Sequence, residues 1–214
     1  RRRASLRAAR AGKRVTIGFA EEGSHRLIDL QMCAVLDPRL FALVAPLRAL
    51  LAAILPDKRA AHVKMSLVDQ GVDLLLEGER VEGLAADEAR GDFARAQALA
   101  RLTIDEGDGP QTRWEPEAAT VSFGGAAVGF PPFAFLQATP DGEAALVAAV
   151  RAAMPETGPG ADLFCGLGTF ALALGDALMG QPLAKSLRLP RDTARDRAER
   201  MLADSIAAHQ TAKD

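Results

Sequence analysis

Apolar positions recur along this chain with two spacings, one of about two residues and one of three to four, and the alternation between them predicts a mixed α/β fold. Residues 15–19 and 26–30 are short apolar-rich runs joined by Glu21-Glu22-Gly23-Ser24, so the opening predicts two strands and a turn. Asp37 followed by Pro38 pairs a helix N-cap with a first-turn proline, and Leu40, Val44, Leu47, Leu51 and Leu55 then recur at helical spacing up to Pro56. That is the clearest helix the pattern predicts. Residues 62–68 and 72–77 alternate around Asp69-Gln70-Gly71, which predicts a hairpin with Gly71 at positive φ. The charged, alanine-rich stretch 86–100 predicts a helix. Further strands are predicted at 101–104, 120–123 and 127–129, separated by acidic loops, one of which carries Trp114.

A shift follows, since six of the nine phenylalanines fall between Phe123 and Phe170. After Pro140 apolar residues return at helical spacing until Pro155, Gly158 and Gly160 end the run. Residues 161–165 then read as a buried strand, Gly166-Leu167-Gly168 as a turn and 169–179 as a helix, the opening half of a doubly wound nucleotide-binding unit. Residues 191–210 form an amphipathic pattern with Ala194, Ala198, Met201, Leu202, Ile206 and Ala207 on one stripe. A solvated terminal helix capping a small core is its simplest reading, and a partner-binding helix the alternative.

Composition narrows the class without naming a partner. The 214 residues, 49% hydrophobic and 25% charged, suit one large globular domain or two modest ones and exclude collagen-like, disulfide-scaffold and wholly disordered chains. A formal charge of -2 makes no bulk case for a polyanion, but the first fourteen residues hold seven basic side chains and no acidic one, whereas Asp69 to Glu117 hold thirteen acidic residues against five arginines. Arg1, Arg2 and Arg3 are therefore candidate RNA-phosphate contacts, a solvated strand edge or frayed end being the alternative. Cys33 and Cys165 stand far apart and outside any CxxC pair, which suits a reducing, cytoplasmic setting. The longest apolar run, 40–55, is interrupted by Pro46 and Arg48 and falls short of the roughly 20 residues of a membrane-spanning helix. His25, His62 and His209 have no metal-ligand spacing, and Trp114 is expected to pack rather than stack on a base. The chain opens on Arg1 and not on a methionine, so we expect sequence upstream of it.

The sharpest chemical feature is Asp162-Leu163-Phe164-Cys165-Gly166-Leu167-Gly168-Thr169-Phe170. Two glycines let backbone approach a ligand, and the following helix start offers unpaired N–H groups to an anionic or polar group. Asp162 is open to two roles, holding a ligand or capping the next turn. Together with Pro132-Phe133-Ala134-Phe135-Leu136-Gln137-Ala138-Thr139, about 25 residues earlier, this motif resembles those of the S-adenosylmethionine-dependent uracil-C5 RNA methyltransferases, the 23S rRNA and tRNA 5-methyluridine enzymes.

The resemblance, which covers roughly residues 1–174, implies a central α+β domain over 1–130 and the start of a Rossmann-like, S-adenosylmethionine-binding domain over 131–214. It implies that Gln137 hydrogen-bonds the cofactor, that Phe164 and Thr169 contact it, and that Asp162, Gly166 and Gly168 shape the pocket. It further implies an RNA partner, rRNA or tRNA, with no role for DNA or a membrane, and places the cysteines of any [4Fe-4S] cluster upstream of Arg1. Departures matter equally: neither the family's Ser-Cys-Asn-Pro nucleophile motif nor its Asp-Pro-Pro segment occurs, and 181–190 lacks an acidic ribose-binding residue. The chain alone is thus expected to lack activity. Two rivals stand beside this reading. One is a non-catalytic RNA-binding module using the basic opening. The other is a dinucleotide oxidoreductase, disfavoured because Ala171 stands where a third glycine belongs.

Overall fold

The computed structural model describes residues 1–179 apart from 22, 24, 25, 79–82, 155–161, 163 and 164. The fold is mixed α/β and mostly antiparallel. Seven strands, β1 (Arg3–Ala11), β2 (Arg14–Ala20), β3 (Leu27–Asp29), β4 (Ala60–Val68), β5 (Gly71–Glu77), β6 (Arg101–Asp105) and β7 (Pro110–Trp114), form one sheet in the order β3-β2-β1-β4-β5-β6-β7. Only β5 and β6 run parallel, because helix α3 (Leu84–Ala96) carries the chain across between them. A separate hairpin, β8 (Thr120–Phe123) with β9 (Ala126–Gly129), follows.

The basic opening is neither a sheet edge nor a frayed end. β1 lies inside the sheet with partners on both sides, Arg7 facing Gly18 of β2 and His62 of β4. Period-two alternation explains how a strand so rich in arginine can sit there: Ala4, Leu6 and Ala8 are buried on one face, Arg3 and Arg7 project from the other, and Arg10, at the strand's end on the inward face, donates to the Leu55 carbonyl. The predicted β4–β5 hairpin forms, with Gly71 at φ 138°. The expected acidic loop before Trp114 is instead β7, an exposed edge strand with no buried face to reveal it by pattern.

The long predicted helix is divided into α1 (Pro38–Ala42) and α2 (Val44–Ile54). Pro46 has no N–H to offer the Ala42 carbonyl, so the first turn of α2 cannot continue the hydrogen-bond ladder of α1. Asp37 caps α1 as expected, its Oδ1 accepting from the Arg39 N–H at 3.0 Å. Leu40, Leu47 and Leu51 from these helices, with Leu43 between them, meet Leu6, Ile17, Val63, Met65 and Leu74 from the sheet in the larger core.

A second, smaller core holds Val121 and Phe123 of the hairpin with Phe130, Leu136 and Leu172. Leu172 belongs to α5 (Thr169–Met179), and helix α4 (Pro140–Ala153) lies alongside it, Arg151 donating to the Ala173 carbonyl at 2.6 Å. Gly124 in the β8–β9 turn stands at φ +55°, and a Cβ there would lie 2.5 Å from the Leu172 carbonyl oxygen. The predicted strand 161–165 falls largely outside the described residues, and so does the amphipathic stretch 191–210.

Candidate functional site

The face of the sheet away from the helices carries a row of polar side chains, set by register: Arg3 opposite Ser66, Ser66 opposite Asp73, Asp73 opposite Arg101. Ser66, Asp73 and Arg101 are all buried. The segment from Phe130 to Ala138 crosses above them. Arg101 donates from Nε to Asp73 Oδ1 at 2.8 Å and from Nη1 to the Phe130 carbonyl at 2.7 Å, and Glu115 lies 3.5 Å from Nη1. The other Asp73 oxygen accepts from the Phe133 N–H at 3.4 Å. Phe133 itself adopts φ +53°, a left-handed conformation that costs an L-residue on the order of 1–3 kcal/mol and persists where its surroundings hold it. Asp73 and Arg101 supply that hold.

Arg3 sits 4.2 Å from the Phe133 ring centroid and 5.5 Å from that of Phe135, and Lys64 lies 5.3 Å from Phe133 while pairing with Glu77 at 2.6 Å. Partial burial lowers the Arg3 pKa below its ordinary value. Arg3 Nε, Ser66 Oγ, Arg101 Nη2 and Thr103 Oγ1 are buried without a hydrogen-bond partner among the described residues. Arg2 behaves differently. It donates from its backbone N–H to the Ala138 carbonyl at 2.8 Å and from Nε to the Gln137 carbonyl at 3.0 Å, and it pairs with Glu143. Arg1 is exposed, its terminal ammonium donating to the Val35 carbonyl.

Gln137 is half-buried, and its side-chain amide has no hydrogen-bond partner among the described residues. Two residues on, Thr139 caps α4 by accepting from the Gly142 N–H at 3.1 Å. The glycine turn forms as predicted: Gly166 and Gly168 take φ +57° and +88°, and the Gly168 N–H donates to the Cys165 carbonyl at 2.8 Å. Thr169 opens α5. Asp162 accepts from the Ala171 N–H at 3.1 Å, which ties it to the first turn of α5. Phe164 lies outside the described residues.

The two motifs, distant in sequence, meet in the second core. Leu136, beside Gln137, is buried in the same cluster as Leu172, and Leu167, between the two glycines, packs against that cluster. Gln137 and the glycine turn are thereby anchored to one apolar patch. Trp114 packs on the larger core and donates from Nε1 to the Leu99 carbonyl at 3.1 Å, a packing role.

Comparison with known proteins fits this arrangement. No family model matches the chain. It is 47% identical over 173 residues to an uncharacterized RNA methyltransferase of Zymomonas mobilis, covering 81% of this chain and 44% of that protein. An uncharacterized RNA methyltransferase of Brucella melitensis is 33% identical over 182 residues, 82% of this chain and 41% of its own length. The 23S rRNA (uracil(1939)-C(5))-methyltransferase of Edwardsiella ictaluri is 34% identical over 164 residues, 76% of this chain and 37% of its own. Relatives named RNA methyltransferases, one of them a 23S rRNA uracil-C5 enzyme, support the uracil-C5 RNA methyltransferase family for this chain.

It spans less than half the length of these family relatives. Neither cysteine stands in a Ser-Cys-Asn-Pro context: Cys33 is half-buried against the larger core and Cys165 is exposed at the glycine turn. Among the described residues no cluster of His, Cys, Asp or Glu is placed to hold a metal ion, and no helix is long and apolar enough to cross a membrane. Sequence reasoning missed Asp73, Arg101 and Glu143. A signal for the first two existed, namely one acidic and one basic residue set into two strongly apolar strands.

Proposed function

We propose that this chain carries the RNA-facing and cofactor-facing portion of a methyltransferase that moves a methyl group from S-adenosylmethionine to C5 of a uridine in rRNA or tRNA. The observation that carries the reading is the convergence of the Gln137 segment and the glycine turn on one apolar cluster, in a chain whose relatives are named RNA methyltransferases. The residues present suit such a cofactor: a half-buried amide without a partner at Gln137, and at Gly166 a left-handed backbone with open space where a side chain would stand. Gln137, Thr169 and the backbone at Gly166 and Gly168 would hold it, with Phe164 against it and Asp162 shaping the turn through α5. S-adenosylmethionine, when bound, supplies a methyl group on a sulfonium.

Residues 1–130 form the central domain in this reading, and 131–214 open the Rossmann-like methyltransferase domain. The 214 residues include no Ser-Cys-Asn-Pro nucleophile segment, so they bind rather than catalyse, in a cytoplasmic setting. On the RNA side Arg3 stands out: it lies against two phenylalanine rings, and among the described residues its Nε is unpartnered and no carboxylate pairs with it.

Calorimetric titration of the chain with S-adenosylhomocysteine and with a nicotinamide dinucleotide tests the cofactor assignment. Heat from the first alone is expected, and binding of the dinucleotide alone would replace this reading with an oxidoreductase one. Methylation of a uridine-containing RNA by the isolated chain would overturn the binding-only assignment. RNA affinity should fall with salt, and Arg3→Ala should reduce the log–log slope by about 0.7–0.9.

A further inference from the structure

Arg2 is the residue just before β1, yet its hydrogen bonds reach a segment 135 positions away in sequence. Its backbone N–H holds the Ala138 carbonyl, its Nε holds the Gln137 carbonyl, and its Nη2 meets the Glu143 carboxylate in the first turn of α4. Its own carbonyl accepts from the Leu67 N–H of β4 at 2.9 Å. One residue thus ties the end of β4, the Gln137–Ala138 peptide and the start of α4 to one another. Both partners of the ion pair are mostly shielded, at 14% and 13% side-chain exposure, which strengthens it relative to a surface pair.

Geometry explains why this position suits arginine. A planar guanidinium presents donors in a fixed fork, so it can bridge a carbonyl and a carboxylate at once, whereas an ammonium on a flexible stem concentrates its donors at one point. Fixing the Gln137 carbonyl restricts the backbone from which the unpartnered Gln137 amide projects. The Arg2 guanidinium is also already engaged, by the Gln137 carbonyl and the Glu143 carboxylate. It lines a cleft of about 350 Å³ whose walls carry Asp37, Asp69 and Asp141 alongside Arg1 and Arg39, so the cleft has no surplus of positive charge to draw in a phosphate.

We propose that Arg2 is a positioning residue that sets the place of Gln137 and is not an RNA contact, which divides the basic opening by role. The inference rests on the reading of Gln137 as a cofactor contact for its purpose, but not for its geometry.

The test compares wild type, Arg2→Ala, Arg2→Lys, Glu143→Gln and Arg3→Ala in the 214-residue chain by hydrogen exchange read by mass spectrometry. Peptides over 133–145 are expected to exchange at least tenfold faster in Arg2→Ala, and less so in Arg2→Lys and Glu143→Gln. Peptides over 62–77 should not change and report an intact sheet. Alongside, the salt slope of RNA binding should stay at its wild-type value in Arg2→Ala. Unchanged exchange over 133–145, or a slope reduced in Arg2→Ala as in Arg3→Ala, overturns the proposal. If wild type binds S-adenosylhomocysteine, Arg2→Ala should weaken it at least tenfold with partial recovery in Arg2→Lys, and equal affinity again overturns it. Failure of wild type to bind would count against the cofactor reading alone, because the exchange result still decides whether Arg2 positions the segment.

Discussion

Arg101→Met probes the buried polar row most directly. Methionine keeps much of the apolar stem but removes both guanidinium bonds, one to Asp73 and one to the Phe130 carbonyl. The Asp73 side chain, 1% exposed, would retain only the 3.4 Å contact with the Phe133 N–H. Removing one partner of a buried pair costs about 3–5 kcal/mol, because the remaining charge is left uncompensated away from water. Set against a typical total stability of about 5–15 kcal/mol, this is a large fraction. For a domain of this size each kcal/mol moves the thermal midpoint by about 2–4 °C, so a fall of about 6–20 °C is expected. Urea unfolding read through the fluorescence of Trp114, the sole tryptophan, measures the change. The double variant Asp73→Leu with Arg101→Met should recover most of the loss, since no buried charge remains. A loss below about 1 kcal/mol for Arg101→Met at an unchanged denaturant slope would refute the argument.

Asp29 is held below the usual carboxylate range, chiefly by its hydrogen bond from Arg48 and further by Gln31 and the Ile17 N–H, against an opposing effect of burial. Its folded pKa lies below the unfolded value of about 3.9, so its contribution is complete above that pH and is lost as pH falls through the folded value. Asp29→Asn should lower stability at pH 7 and flatten the acid limb below about pH 4, both read from urea midpoints, and an unaltered acid limb would count against the Arg48 clasp. Gly124→Ala should cost at least about 2 kcal/mol, from left-handed strain together with the 2.5 Å approach to the Leu172 carbonyl. Gly125→Ala, at φ +80° with nothing within 4 Å, should cost only the strain, about 1–2 kcal/mol. Equal thermal midpoints for the two variants would mean that α5 does not abut the hairpin.

What was legible in the sequence was whatever one strong period marked. The β4–β5 hairpin, the β8–β9 pair, α3, α4, the glycine turn and α5 all follow from apolar spacing and turn residues. β1 was obscured because its inward face is built from Ala4, Leu6 and Ala8, a weak hydrophobic signal beside so much positive charge. β7 was invisible because Pro110, Gln111, Thr112 and Arg113 are all exposed. The break between α1 and α2 was hidden because leucine spacing runs straight through it, whereas Pro46 acts on hydrogen bonds, which a hydropathy pattern does not record. Of the candidate site, its motifs were readable. Their support by Asp73, Arg101 and Glu143 was not, since long-range pairing depends on register.

The same register has a consequence for the three opening arginines. They are chemically identical, and deleting any one of them would yield the same sequence, so which arginine reaches Gln137 and which lies on Phe133 is decided by strand phase alone. Along β1 that phase is kept by Leu6, 2% exposed, flanked by two alanines that would give up little on turning outward. One leucine is therefore the reading-frame marker of the tract. Weakening it would let the arginines exchange roles without altering any of them.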